Sequence, residues 1–499
     1  FLILELDSHV ADAGIETRIE AFLDIIKNYR EQEKEALKKK VPPAARAFTA
    51  AYFDYKNQAA IDSRGRAYPL DDPRVHLVFP SMGTLLNEAG AAVFRGMGVQ
   101  ATSLPAAGEM ELKLGRGNTS CKECLPLLLS VGGLMRYLQS RPARDELLVY
   151  FMPTASGPCR FGQYSPFIDQ LIHRWQAEDV ALFSLQAENG YRNVKGGNIA
   201  LKLWPAMVIA DIMQEVYSLI LTNALDREAA LDVYRKQWEA ILAAMGGGAT
   251  PVDMAELMAD VSGKLRQIPL RRLPADTPTI LLTGEIYVRH DDFSRQFLVE
   301  KLADLGFAVK VSGVCEWIYY TDWCYQRNLA GEKPGLRGRV TMRLRTAWMK
   351  RQERLLKGIM ASSNLSPGRL EDVEHLIQNA RHLINPELTG EAILTIGAAV
   401  TDAPDPYCGV IAIGPFGCMP NRLAEAILSQ AMNTGPQPAK KSGHGDYRDL
   451  APLTEDLPFI AIESDGNPFP QIIAAKLDVF LSQAMRVHGA VASRRRKTA

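Results

Sequence analysis

The sequence predicts an α/β protein built from two doubly wound domains, each a mostly parallel sheet covered by helices on both faces. Three observations carry this. Short runs such as Val75-His76-Leu77-Val78-Phe79 and Leu147-Leu148-Val149-Tyr150-Phe151 are apolar almost throughout, as strands buried on both faces must be. Each run is followed by a turn and then a stretch with helical spacing, and that alternation means parallel pairing. The same pattern restarts at Thr279-Ile280-Leu281-Leu282-Thr283-Gly284, after a break marked by Pro274 and Pro278.

In chain order, Phe1-Leu2-Ile3-Leu4-Glu5-Leu6-Asp7 reads as a strand. A helix follows, with Ile15, Ile19, Phe22, Leu23 and Ile26 on one face. The charged stretch from Arg30 to Lys40 ends at Val41-Pro42-Pro43, so residues 1–45 read as the end of an upstream domain and a connecting helix. A strand beginning at residue 1 is what a piece of a longer protein would show. The first α/β domain is expected over 46–275, with a third strand at Val180-Ala181-Leu182-Phe183-Ser184. Ala200 to Thr222 reads as a buried helix rather than a membrane span, because Pro205, Asp211 and Glu215 interrupt it. Two further helices precede Leu265, separated by Gly246-Gly247-Gly248. The second domain, 276–499, adds strands at Phe307 to Val311, Gly409 to Ile413 and Phe459 to Ile462, with a charge-rich helical insertion near 336–400.

Composition narrows the function classes. The chain has 499 residues, enough for two to four domains, with Lys+Arg and Asp+Glu both at 57. No overall field draws in nucleic acid or an anionic membrane. The basic end Arg494-Arg495-Arg496-Lys497 reads as a solvated tail. No apolar run reaches ~18 residues and no signal peptide is evident, so a reducing cytoplasm is expected. Seven cysteines do not form a disulfide framework in a chain of this size. No strand is followed by GxGxxG or GxxxxGK[ST], and the eight histidines make no HxxxH or HxH pair.

The cysteines are where the chemistry concentrates. Cys124, in Lys122-Glu123-Cys124-Leu125-Pro126, stands at the mouth of an expected helix. Cys159 follows Gly157-Pro158, Cys315 follows Gly313, and Cys418 follows Gly417 just before Pro420. In open α/β sheets ligands bind beyond the carboxyl ends of the strands, and soft thiolates there select iron–sulfur clusters, zinc or copper(I). Cys121 is close enough to share a ligand with Cys124, or is a helix-entry thiol. Cys324, among aromatics, reads as core with a weaker claim as a ligand. Cys408 precedes its strand and reads as structural. The bland alternative is a set of unconnected buried thiols; structural zinc prefers close-set pairs, and only Cys121 and Cys124 form one. Glu285 and Arg289 sit at a strand end and face the crevice or pair locally. Glu316 beside Cys315 and Glu123 beside Cys124 are candidate proton carriers or solvated turn carboxylates.

These stretches resemble a known family. Glu5-Leu6-Asp7-Ser8-His9 and Thr17-Arg18-Ile19-Glu20-Ala21-Phe22 look like a linker in large fused proteins related to the activators and cluster subunits of 2-hydroxyacyl-CoA dehydratases. Lys122 to Pro126, Gly157-Pro158-Cys159-Arg160-Phe161-Gly162, Gly284-Glu285-Ile286-Tyr287-Val288-Arg289 and Pro415-Phe416-Gly417-Cys418-Met419-Pro420 look like their C-terminal part. The resemblance implies iron–sulfur clusters held between two flavodoxin-like domains. It also implies electrons delivered by an actin-like ATPase activase, on the same longer chain or separate. Relatives with a double cubane hold it with six cysteines. Here Ser81 occupies a turn where some relatives carry cysteine, and an ATPase segment is not within the chain.

The expectation is therefore an iron–sulfur protein with a [4Fe–4S] cluster or double cubane on Cys121, Cys124, Cys159, Cys315 and Cys418, with Cys324 as a weaker sixth. It would pass low-potential electrons to a small-molecule or acyl-CoA substrate, with Glu285, Glu316 and Ser81 as weak catalytic candidates. A non-catalytic electron carrier is the alternative. Neither nucleic acid nor membrane is expected as a partner, and a homo-oligomer is left open.

Overall fold

A computed structural model describes residues 12–38, 48–120, 123–141, 145–155, 159–185, 199–329, 335–401, 407–433 and 457–498. The expected first strand, the Pro42-Pro43 linker, Cys121 and the Gly157-Pro158 turn lie outside the described residues.

Two four-stranded parallel sheets organise the chain. The first contains β4 (Val75–Phe79), β5 (Gln100–Ser103), β6 (Leu147–Phe151) and β7 (Val180–Phe183), in the order β5-β4-β6-β7. The second contains β8 (Thr279–Gly284), β9 (Ala308–Val311), β10 (Gly409–Pro415) and β11 (Phe459–Ser464), in the order β11-β10-β8-β9. Read from each sheet's own first strand, both orders are 2-1-3-4. The central strands β4 and β10 are buried at every position, as expected of strands with helices on both faces. Leu77 pairs with Val149 in one sheet, and Ile411 with Leu282 in the other.

A feature with no counterpart in the sequence reading precedes the first sheet. β1 (Tyr52–Asp54), β2 (Ala59–Ile61) and β3 (Ala67–Pro69) form a small antiparallel sheet. Its strands are three residues long, too short for a periodicity signal to emerge. The basic end also differs from expectation: residues 494–497 continue the helix Gln471–Thr498 rather than forming a tail.

Helix Ile199–Asn223 runs on past Pro205. Its segment Lys202–Asn223 is the one described helix long and apolar enough to cross a membrane, yet 72% of its most apolar window is buried inside the protein. It is a core helix. Val208, Ile209, Ile212, Met213 and Val216 are fully covered, packed in one cluster with residues from helices Thr84–Arg95, Arg227–Gly246 and Leu336–Ala361. The Trp204 indole N–H donates to the Met349 carbonyl at 3.1 Å, tying this helix to Leu336–Ala361. Helix Ile199–Asn223 also packs on β9, so it bridges elements from both sheets.

Further contacts join the halves. The Ser81 hydroxyl, just beyond β4, donates to Asp291 at 3.2 Å and accepts the Ala107 N–H at 3.1 Å. Arg116 donates to the Asp465 carbonyl at 3.2 Å.

A thiol and carboxyl site between the two sheets

In a sheet ordered 2-1-3-4 the connections leave in opposite directions between strands 1 and 3, and a crevice opens beyond their carboxyl ends. In the first sheet those strands are β4 and β6, leading to Ser81 and Cys159. In the second they are β8 and β10, leading to Glu285 and Cys418. A cavity of about 320 Å³ lies where these edges meet. Phe79, Phe151, Phe161 and Pro153 line it from the first sheet's side, and Glu285, Ile286 and Tyr287 from the second. Leu203 and Met207 of the core helix, and Trp317, Ile318, Arg345 and Met349 from the helices beyond β9, close the rest.

Three of the predicted cysteines come to one end of this cavity. Cys159 lies on its wall. Cys124 is the N-cap of helix Leu125–Ser140 and shares a hydrogen bond with the hydroxyl of Tyr164, which is itself on the wall. Cys418 stands two residues before Pro420, another wall residue. Charge on Cys124 is felt at Cys159, and charge on Cys159 at Cys418. Burial pushes the Cys124 thiol up to about 11, offset in part by the Tyr164 hydrogen bond. Burial pushes Cys159 up to about 12, with Glu391 adding to it, and raises Cys418 with Glu285 adding to it.

Two carboxyls share this end. Glu285 caps the short helix Ile286–His290, its Oε2 accepting the Val288 N–H at 2.9 Å. Glu391 Oε1 accepts the Ile286 N–H at 3.0 Å. Burial raises both, and carries Glu391 to about 8 with the charge of Glu285 adding to it. Arg289 does not pair with either. Its guanidinium donates to the carbonyls of Ser312, Gly284 and Gly313 at 2.9, 2.5 and 3.2 Å, fastening the ends of β8 and β9 together. The local pair with Glu285 foreseen from sequence is therefore not made. Three thiols and two carboxyls thus lie near Arg289, a buried cation that is spent on backbone carbonyls. A metal centre replacing their protons would relieve this, since a bound cation inverts the local titration logic.

The other predicted residues are placed elsewhere. Cys315 is the second residue of helix Val314–Gln326 and 1% exposed; it packs in the helical core, with Asp211, Lys357 and Glu353 as its charged neighbours. Asp211 receives the N–H groups of Val314 and Cys315, both at 3.0 Å, capping that helix from a different one. Cys324 lines the cavity too, hydrogen-bonded to Tyr320, whose hydroxyl accepts the N–H of Gly390 beside Glu391 at 3.0 Å. Cys408 is buried at the start of β10, donating to the Thr279 carbonyl at 3.3 Å. Glu123 accepts the N–H and hydroxyl of Ser120 at 2.9 and 2.7 Å. Ser81 is a cross-sheet tie and not part of the cavity wall. Among the described residues no three Cys, His, Asp or Glu side chains form a ready single-ion site. Tyr164 and Glu391 were not singled out in the sequence. Neither had a signal there: Tyr164 is one aromatic at a helix start, and Glu391 one acid before an apolar helix.

Glu316 is 2% exposed and its Oε1 has no hydrogen-bond partner. Burial lifts it from 4.5 to about 8, with Arg289 and Lys310 pulling down and Glu371 and Asp211 pushing up. A carboxyl raised on folding stays protonated in the native protein after the unfolded chain has ionised. Its contribution is therefore favourable at low pH and is lost as pH rises from about 4.5 to about 8. Glu316→Gln stays neutral. It is expected to match the parent near pH 4.5 and to exceed it by ~2–4 kcal/mol at pH 8.5, measured by urea denaturation at both pH values. A variant less stable than the parent at pH 8.5 would contradict this.

No protein-family model matches the chain, and no curated protein matches it.

Proposed function

We propose that the chain is an iron–sulfur protein with reductase- or dehydratase-type chemistry, taking low-potential electrons and passing them to a substrate in the cavity between the sheets. The observation that carries this is the gathering of Cys124, Cys159 and Cys418 at one end of an open cavity between two strand-end crevices. The shared 2-1-3-4 order is that of the first four strands of a flavodoxin-like sheet, which supports two flavodoxin-like domains around the site.

Bound here, a [4Fe–4S] cluster would supply single low-potential electrons. Cys124, Cys159 and Cys418 would hold it, with Cys121 beside Cys124 in sequence as a fourth thiol. Three gathered thiols favour a single cubane over a double one. The Tyr164 hydroxyl shares a hydrogen bond with the Cys124 sulfur and the Phe161 N–H donates toward the Cys159 sulfur, the latter at 3.5 Å, so one segment orients both. Hydrogen bonds to ligating sulfurs also tune reduction potential. Glu285 and Glu391 hold protons at the cavity wall, where a substrate gaining electrons needs them. An ATP-dependent, actin-like activase is the proposed electron source and the cytoplasm the proposed location. The carrier alternative is less well supported, because a cavity reaches Cys159 itself.

The test is to purify the chain without oxygen, assay iron and sulfide, and record electron paramagnetic resonance after reduction. About four irons and four sulfides per chain with a reduced-cluster signal are expected. Colourless protein free of iron after anaerobic reconstitution would overturn the reading.

A further inference from the structure

The cavity wall says what kind of molecule it receives. An engineered apolar cavity of ~150 Å³ holds benzene, so about 320 Å³ gives room for roughly two fused rings or a branched chain of similar bulk. Aromatic and aliphatic side chains make most of the surface, with Phe79, Phe151, Phe161 and Trp317 contributing the rings. Charged groups on it are few, and Asn87, Ser130, Thr154, Thr321 and Thr389 add only neutral polar side chains. Cys159, Glu285 and Glu391 stand together at one end. Arg345, the one Lys or Arg on the wall among the described residues, lies 3.6 Å from Asp322, which already answers its charge.

We infer that this cavity binds an uncharged, largely apolar organic molecule of about two rings' bulk, with its reactive group at the Cys159–Glu285–Glu391 end and its body among the aromatic residues. An anion gains nothing from this wall. The two carboxyls repel it if ionised and offer it no charge if protonated, and Asp322 competes for Arg345. A cation would surrender its hydration to apolar walls. A neutral body loses only ordered water and gains packing against the rings. The inference rests on reading the cavity as the substrate site and does not need the cluster.

Three naphthalene probes of nearly equal size separate the cases: neutral 2-acetylnaphthalene, anionic 2-naphthoate and cationic 2-naphthylmethylammonium. Each is titrated by calorimetry into the full chain, and iron is assayed in the same batch. 2-Acetylnaphthalene is expected to bind one per chain and at least tenfold more tightly than either ion. Met207→Trp, which fills the cavity from the core helix, is expected to weaken it at least tenfold while the thermal unfolding transition persists. Leu203→Phe, a smaller obstruction on the same helix, serves if the first variant does not fold. Equal or tighter binding of either ion, no binding of the neutral probe, or unchanged binding in a folded filling variant would overturn the inference. Neutral-probe binding by iron-free protein would leave it standing and count against the cluster reading; iron without probe binding would do the reverse.

Discussion

Gly284→Ala is expected to cost ~4 kcal/mol or more and to leave little soluble protein. Gly284 ends β8 with φ +110°, a conformation L side chains rarely adopt. A methyl group there would lie 2.0 Å from the Ile413 carbonyl oxygen and 2.6 Å from its nitrogen. Those atoms belong to the paired strand, and the Glu285 N–H donates to that same carbonyl at 2.8 Å. Relief requires moving β8 from β10, where the crevice opens. Backbone strain of this kind and a backbone clash add. Gly263→Ala is the control: it lies within helix Pro251–Leu265, a methyl group meets nothing within 4 Å, and a gain of up to ~1 kcal/mol is expected. Soluble yield and urea midpoints of the two variants measure the difference. Two variants of equal stability would contradict the account of this strand end.

Cys159→Ser, Cys124→Ser and Cys418→Ser are each expected to lose most of the iron of the anaerobic protein. Losing one thiolate opens an iron to water, and a buried hydroxyl is a poor substitute for a soft ligand. Cys315→Ser is expected to keep its iron because its thiol packs in the helical core, and Cys324→Ser because its thiol is held by Tyr320. Cys408→Ser should also keep it, at a stability cost of ~1–2 kcal/mol, since its thiol packs in the second sheet's core and bonds the Thr279 carbonyl. Full iron in the Cys159 variant would remove that residue from the site.

The parallel sheets were legible because burial on both faces writes continuous apolar runs, as in Val75–Phe79 and Gly409–Pro415. The turns bearing Cys124, Cys159 and Cys418 were legible for a related reason: glycine and proline mark where such runs stop. Their meeting was not, because it depends on how two sheets are set against each other. Cys315 shows the limit. It follows a strand end and a glycine like Cys159, yet it is the second residue of its helix where Cys159 is a cap, and its thiol meets Asp211 and Lys357. The Glu285–Glu391 pair was out of reach for a different cause. Its two members are 106 positions apart, and only the burial they share makes them a pair.

Anomalous X-ray scattering at the iron edge, from anaerobically grown crystals of the reconstituted chain, tests the central claim most directly. The predicted result is one compact iron peak enclosed by the sulfurs of Cys124, Cys159 and Cys418, at the Glu285–Glu391 end of the cavity. A protein with no iron peak, or with iron bound at Cys315 or Cys324 and none among those three sulfurs, would contradict it.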